Sequence, residues 1–150
     1  MRDTLSIMPE ALPKPPDRPS AAQRCVFVYG TLRAGGRNDI RRFQPPAQWV
    51  GRAQLAGALY HLGGYPGLVL GGGGVVFGEV WRIAPALEAQ LDRLEDVRAD
   101  DEGEYRRREV RLLVDGVALD CLVYEIHPDR IRGRAVIAAG DWMACGPRAD

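Results

Sequence analysis

The sequence predicts an α+β fold, barrel-like and rich in antiparallel strands, with many strands set around one convincing helix. Three observations carry this. β-branched and aromatic runs recur with glycine-rich turns between them, a single segment repeats leucine at helical spacing, and the strand–helix alternation of a doubly wound sheet is missing. The chain has 150 residues, a length that suits one domain.

The elements follow in order. Residues 1–24 hold five of the eleven prolines (Pro9, Pro13, Pro15, Pro16 and Pro19) and no apolar period. They read as a flexible or polyproline-like arm ahead of a single domain at 25–146, with 147–150 as a tail. Cys25-Val26-Phe27-Val28-Tyr29, closed by Gly30, reads as a central strand entering a turn. A polar loop follows from Arg33 to Arg42, with Gly35-Gly36 inside it. Residues 49–62 read as a long strand broken at Gly57, the place for a bulge or a corner of a curved sheet. Gly63-Gly64-Tyr65-Pro66-Gly67 is a turn cluster before the short apolar run 68–70. The glycines at 71–74 lack the helix start and Lys-Ser/Thr of a phosphate loop and are expected to form a hairpin connection. Residues 75–83 alternate as a strand, with Phe77, Glu79, Trp81 and Ile83 on one side. Pro85 opens a helix expected to reach about Asp96, since Leu87, Leu91 and Leu94 recur at i, i+4 and i+7. Strands at 104–114 and 117–126 flank an Asp115-Gly116 hairpin turn.

Composition removes whole classes of chemistry. Lys+Arg and Asp+Glu number 20 each, so formal net charge is zero. Ser occurs only at Ser6 and Ser20 and Lys only at Lys14, all within the arm. A core without Ser or Lys runs no serine triad, Ser-Lys dyad, Schiff base or P-loop. Cys25, Cys121 and Cys145 make no C-x-x-C pair and read as small apolar residues in a reducing cytoplasm. Together with His61 and His127 they are too scattered for a zinc spacing, so no metal or cofactor is expected. No apolar run is long enough to span a membrane, and no secretory signal is visible. Arg33, Arg37, Arg41 and Arg42 cluster locally. With no net charge behind them, they suggest a solvated face or an anion-attracting rim, and no nucleic-acid partner is expected.

Two places carry candidate chemistry. On a helical wheel Glu95 lies about 40° from Leu91, at the edge of the apolar stripe. Desolvation there would raise its pKa toward the range of a general base. A boundary glutamate paired with Arg93, Arg98 or Arg107 is the structural alternative. At the other place, Tyr29-Gly30-Thr31-Leu32-Arg33, a glycine after a buried strand would let backbone N–H groups face a carboxylate or an oxyanion.

Taken together, these motifs resemble the gamma-glutamylcyclotransferase-like superfamily, in particular its small bacterial members close to the gamma-glutamylamine cyclotransferase-like group. The resemblance covers roughly Val26 to Trp142. It includes Tyr29-Gly30-Thr31-Leu32-Arg33 with Asn38, Gly64-Tyr65-Pro66, Gly78-Glu79-Val80-Trp81, Leu91-Asp92-x-x-Glu95 with Tyr105-x-Arg107, and Gly140-Asp141-Trp142. It implies a small mixed β-barrel flanked by one or two helices. It also implies Glu95 as the catalytic acid/base, a substrate-binding set of Tyr29, Gly30, Thr31, Leu32 and Tyr105, and Arg107 in support. The implied reaction releases 5-oxoproline from a small γ-glutamyl substrate and needs no cofactor. A related reaction on another small amide, a non-catalytic ligand-binding module and an interaction role for the arm are the alternatives. Two positions depart from the family pattern. Asp39 stands where many relatives have His, which bears on substrate choice. Asp96 stands where Gly commonly follows the glutamate, which bears on how the helix ends.

Overall fold

Strand β1 (Arg24–Val28) is apolar on both sides because it lies in the middle of a sheet. The computed structural model describes residues 23–145, so most of the Pro-rich arm and the tail at 147–150 lie outside the described residues. Arg24, assigned to the arm by composition, is already in register opposite Ile83. β2 (Gln48–His61), β3 (Pro66–Ile83), helix α1 (Pro85–Leu94), β4 (Tyr105–Val114) and β5 (Val117–Ile126) complete the main elements. The sheet order is β2-β3-β1-β5-β4. β1 runs parallel to β5, and the consecutive pairs β2–β3 and β4–β5 are antiparallel. A further parallel bridge, Leu68 to Glu125, curls the sheet. The result is a mixed, antiparallel-rich α+β fold with one α-helix among the described residues. The sheet is open, with β2 and β4 at its edges, so the expected barrel does not close.

The two faces of β1 seed two apolar layers. Cys25 and Phe27 pack with Leu55, Leu59, Leu68, Val76, Val80 and Val123 on one side. Val26 and Val28 pack with Ile83, Leu87, Leu91, Leu122 and Ile126 on the other, where α1 lies. Leu87 and Leu91, fully buried, are the helical stripe that the sequence announces.

Two further expectations need correction. The run at 71–74 is no hairpin. Leu70 pairs with Gly57 and Val75 with Ala56, so both flanks follow the same partner strand and the glycines stand out of one continuous β3. Gly71 and Gly72 take φ of +92° and +81°, which makes this four-residue excursion possible. The register shift at Ala56/Gly57 is its counterpart on β2, at the break expected there.

The helix also stops earlier than expected, at Leu94, with Glu95 as its C-cap. Asp96 N–H donates to Arg93 O at 3.1 Å and Val97 N–H to Asp92 O at 3.0 Å, the paired bonds of a Schellman ending. Asp96 takes the left-handed position (φ +56°) that glycine usually fills. Its carboxylate offsets that strain by accepting from Glu104 N–H at 3.0 Å. This is how the chain does without a glycine at this position.

The segment after β5 returns along β2. His61 N–H donates to Ala135 O, Ile137 N–H to Leu59 O and Phe77 N–H to Gly140 O. Gly140 (φ +68°) lies so close to β3 that a Cβ there would stand 1.9 Å from Val75 O. Gly133 has a similar φ of +74° with nothing near it. Both Gly→Ala variants should therefore lose roughly 1 kcal/mol of stability to left-handed strain. Gly140→Ala should lose about 1–3 kcal/mol more through the clash. Urea midpoints of the two variants check this; equal losses would mean the backbone yields at Val75.

Candidate active site

The loop between β1 and β2 is shaped by two buried carboxylates. Glu79 on β3 accepts from Ala34 N–H at 2.9 Å and from Trp81 Nε1–H at 3.1 Å, with Arg33 Nε at 3.4 Å. Arg33 then reaches Asp141 through Nη1 at 2.7 Å and ties the loop to the returning C-terminal segment. Asp39 accepts from Gly35 N–H at 2.8 Å and Arg41 N–H at 2.9 Å, and pairs with Arg41 Nη2 at 2.6 Å. The Arg41 guanidinium holds the Asp39 carboxyl well below the usual carboxylate range. Asp39 thus braces the loop and does not line the cavity beside it, so its departure from His changes the scaffold before it changes any contact to a ligand.

So braced, the loop leaves its first amides without protein partners among the described residues. Asn38 closes it from behind, through N–H to Thr31 O at 2.9 Å and Nδ2 to Thr31 Oγ1 at 3.1 Å. The N–H groups of Gly30, Thr31 and Leu32 donate to no protein acceptor among the described residues. Three successive amides of this kind suit an anion. Pro66 lies against Gly30 so closely that a Cβ would stand 2.7 Å from its Cγ, and only glycine permits that approach.

The loop forms one wall of a cavity of about 200 Å³. Tyr65, Pro66, Leu94, Glu95, Glu104, Tyr105 and Tyr124 build much of the rest. The volume is below the ~300–1,000 Å³ of drug-sized pockets and suits a ligand of amino-acid scale.

Glu95 is the carboxylate without a partner. Arg107, an expected partner, spends its guanidinium on Asp92 (2.7 Å) and Glu88 (2.5 Å), clamping α1 to β4. Arg98 pairs with Asp96. Among the described residues no hydrogen bond or ion pair satisfies the Glu95 side chain. Burial, with the nearby charge of Glu104 adding to it, pushes Glu95 up to about 8. Glu104 itself accepts from Tyr65 Oη–H at 2.5 Å.

The tyrosines are walls held by the backbone. Tyr29 Oη–H donates to Tyr124 O at 2.6 Å, and Tyr105 Oη–H donates to Pro66 O at 2.6 Å. Burial pushes both phenols upward, so they stay protonated and fix the start of β3.

The cavity brings together Tyr29, Gly30, Thr31, Leu32, Glu95 and Tyr105, from three separate parts of the sequence. Arg107 lies outside it, where it secures the helix. Glu104 and Tyr124 were not singled out from the sequence, Arg37 was read only as one of four clustered arginines at an anion-attracting rim, and Tyr65 only as part of a turn. Glu104 carried a signal, an acidic residue directly before Tyr105; the others face the cavity only through the fold. Among the described residues no group of three or more His, Cys, Asp or Glu is arranged to hold a metal, and no helix is long and apolar enough to cross a membrane.

Comparison with known proteins identifies the family that the chain resembles. The family model described as "Gamma-glutamyl cyclotransferase, AIG2-like" matches residues 26–144. A Vibrio cholerae protein, named provisionally as a gamma-glutamylcyclotransferase, is 40% identical over 122 residues, covering 80% of this chain and 96% of its own. The gamma-glutamylcyclotransferase family protein YtfP of Escherichia coli K12 is 36% identical over 125 residues, covering 79% and 95%. The crystal structure of an AIG2-like protein from Mus musculus superposes with a TM-score of 0.67 at 23% identity, covering 84% of this chain and 92% of that one, a likeness of fold.

A raised carboxyl leaves a thermodynamic signature. Below its ordinary value of 4.5, Glu95 is protonated in both folded and unfolded chains. Between 4.5 and about 8 the folded chain keeps a proton that the unfolded chain has lost, so stability falls as pH rises through this window. Glu95→Gln removes that loss. Its Tm should match the parent's at low pH and exceed it increasingly toward pH 9, by the equivalent of a few kcal/mol on the order of the linkage. A constant Tm difference across pH would show an ordinary, solvated carboxylate.

Proposed function

As the chain belongs to the gamma-glutamyl cyclotransferase, AIG2-like family, we propose that it releases 5-oxoproline and a free amine or amino acid from a small γ-glutamyl substrate, with Glu95 as the acid/base. The observation that carries this reading is the unpartnered Glu95 sharing one cavity with the unpartnered amides of Gly30, Thr31 and Leu32.

The reaction needs no enzyme nucleophile. The substrate's α-amine attacks its own γ-carbonyl carbon, a C–N bond forms to close the five-membered ring, and the original amide C–N bond breaks. The cavity holds the folded-back conformer in which these atoms meet, a proximity effect. Glu95 takes one proton from the ammonium to free the attacking amine and hands it to the departing nitrogen; it then relays a second from the ring nitrogen after attack, so the lactam keeps one N–H, the amine leaves as an ammonium and the carboxylate is restored. A carboxylate raised to about 8 is a stronger base toward the substrate ammonium than an ordinary glutamate would be. The 30–32 amides anchor the substrate carboxylate or steady the carbonyl oxygen as it gains charge; each such donor is worth roughly 3 kcal/mol in other enzymes. Tyr29 and Tyr105 shape the walls, and Arg107 keeps the helix end, and with it Glu95, in place.

Free, buried Cys25 and Cys121 accord with a reducing cytoplasm as the working compartment. A small metabolite is the partner in this reading, with no nucleic acid and no membrane.

Incubation with a panel of γ-glutamyl peptides and amines, read by 5-oxoproline formation, tests the proposal. Glu95→Gln should lower kcat/KM by about 100-fold or more while the fold survives. In the parent, kcat/KM should climb with pH and level off above about 8, as Glu95 ionises. Undiminished turnover in Glu95→Gln would remove Glu95 from the chemistry. Ligand binding with no turnover of any panel member would identify a binding module instead.

A further inference from the structure

The basic cluster at 33–42 divides once folded. Arg33 is spent on Glu79 and Asp141, Arg41 on Asp39, and Arg42 Nη1 donates to Arg37 O at 3.1 Å. Arg37 differs. Its side chain has no carboxylate partner among the described residues, and it is the one arginine among the residues lining the cavity.

Its place is well defined. The neighbouring bonds from Asn38 to Thr31 and from Arg42 to the Arg37 carbonyl hold the main chain. The guanidinium lies against Gly64, where a Cβ would stand 2.9 Å from Nη1 and 3.3 Å from Nη2. Gly64 adjoins Tyr65 and Pro66 of the cavity wall, so the cation rests on the same wall as those residues. Arg37 is also exposed, whereas Glu95 is half-buried and Tyr29 is buried. The cation therefore stands at the rim and the acid/base in the interior.

That separation bears on the substrate. In the folded-back conformer the α-amine and γ-carbonyl converge beside Glu95, and the α-carboxylate, one atom from the amine, stays inside with them near the 30–32 amides. Only the leaving group extends toward the mouth. A guanidinium there, offering a planar fork of donors, matches a carboxylate. Resting on the cyclotransfer reading above, we propose that Arg37 binds a carboxylate of the leaving group, which makes γ-glutamyl amino acids and peptides the preferred substrates over simple γ-glutamylamines.

A matched pair of substrates tests this on the full-length protein: γ-glutamyl-alanine and γ-glutamyl-ethylamide, whose leaving groups differ only by the carboxylate. The parent should favour the alanine substrate in kcat/KM by about three- to fivefold, the order expected of one charge-assisted pair at an exposed rim. Arg37→Gln should bring that ratio close to one, and Arg37→Lys should restore part of it. Arg37→Glu should shift preference toward a cationic leaving group, read with the γ-glutamyl amide of ethylenediamine. A parental ratio near one, or a preference that survives Arg37→Gln, would overturn the inference while leaving cyclotransfer intact. Equal losses on both substrates would overturn it in favour of a contact to the glutamyl half. Absence of 5-oxoproline from either substrate would instead overturn the cyclotransfer reading, and the inference with it.

Discussion

Glu79 is a carboxylate buried in the middle of β3, and the shape of the loop after β1 depends on how that charge is compensated. An isolated carboxylate at such a depth costs several kcal/mol in lost hydration. Here a backbone amide of the loop, the Trp81 indole and the Arg33 guanidinium converge on it. The loop is thus drawn onto the sheet by a charge that has no other good way to be satisfied. Arg33 passes the same constraint on to Asp141, so the C-terminal segment is fastened by it as well. Together with the Asp39 and Asn38 bonds, this anchoring sets the loop that carries the 30–32 amides and Arg37.

The carboxylates around the end of α1 show how environment assigns different work to one chemical group. Glu88 and Asp92 are neutralised by Arg107, and Asp92 also accepts from Tyr124 Oη–H at 2.7 Å. Asp96 completes the helix ending. Glu95, between them in sequence, is left with burial and the like charge of Glu104, and this raises its proton affinity. The Schellman ending matters here because it fixes Glu95 as the last residue before the chain turns away. A core without Ser or Lys loses nothing by this arrangement, since the proposed reaction takes its nucleophile from the substrate.

Much of the fold was legible in the sequence wherever the signal was local. The apolar run at 25–29, the leucine spacing of α1 and the Asp115-Gly116 turn each rest on short-range periodicity or turn chemistry, and each has its counterpart in the structure. The glycine run at 71–74 was misread for the same reason. Locally it resembles a turn, and only the pairing of both flanks with β2 shows that the strand continues. Sheet closure was equally beyond reach, because it depends on how far the strands curl. At the site, Glu95 and the 29–33 turn were legible through helical spacing and a glycine after a strand. Arg37 and Tyr65 were not singled out, because their role depends on the loop, the 64–66 turn and the start of β4 meeting in space.

The parallel pairing of β1 with β5 also governs when this domain is able to fold. Tyr29 and Tyr124, whose contact fastens the ends of those strands, stand 95 positions apart. Contacts so distant in sequence are formed late and slow a small domain's folding. During synthesis β1 emerges first, acquires its antiparallel neighbour once β3 appears, and keeps its other edge unpaired until β5 is made. An apolar strand with an open edge is the species most prone to wrong pairing. The central strand of the finished sheet is therefore also the segment of the nascent chain that waits longest for its full set of neighbours.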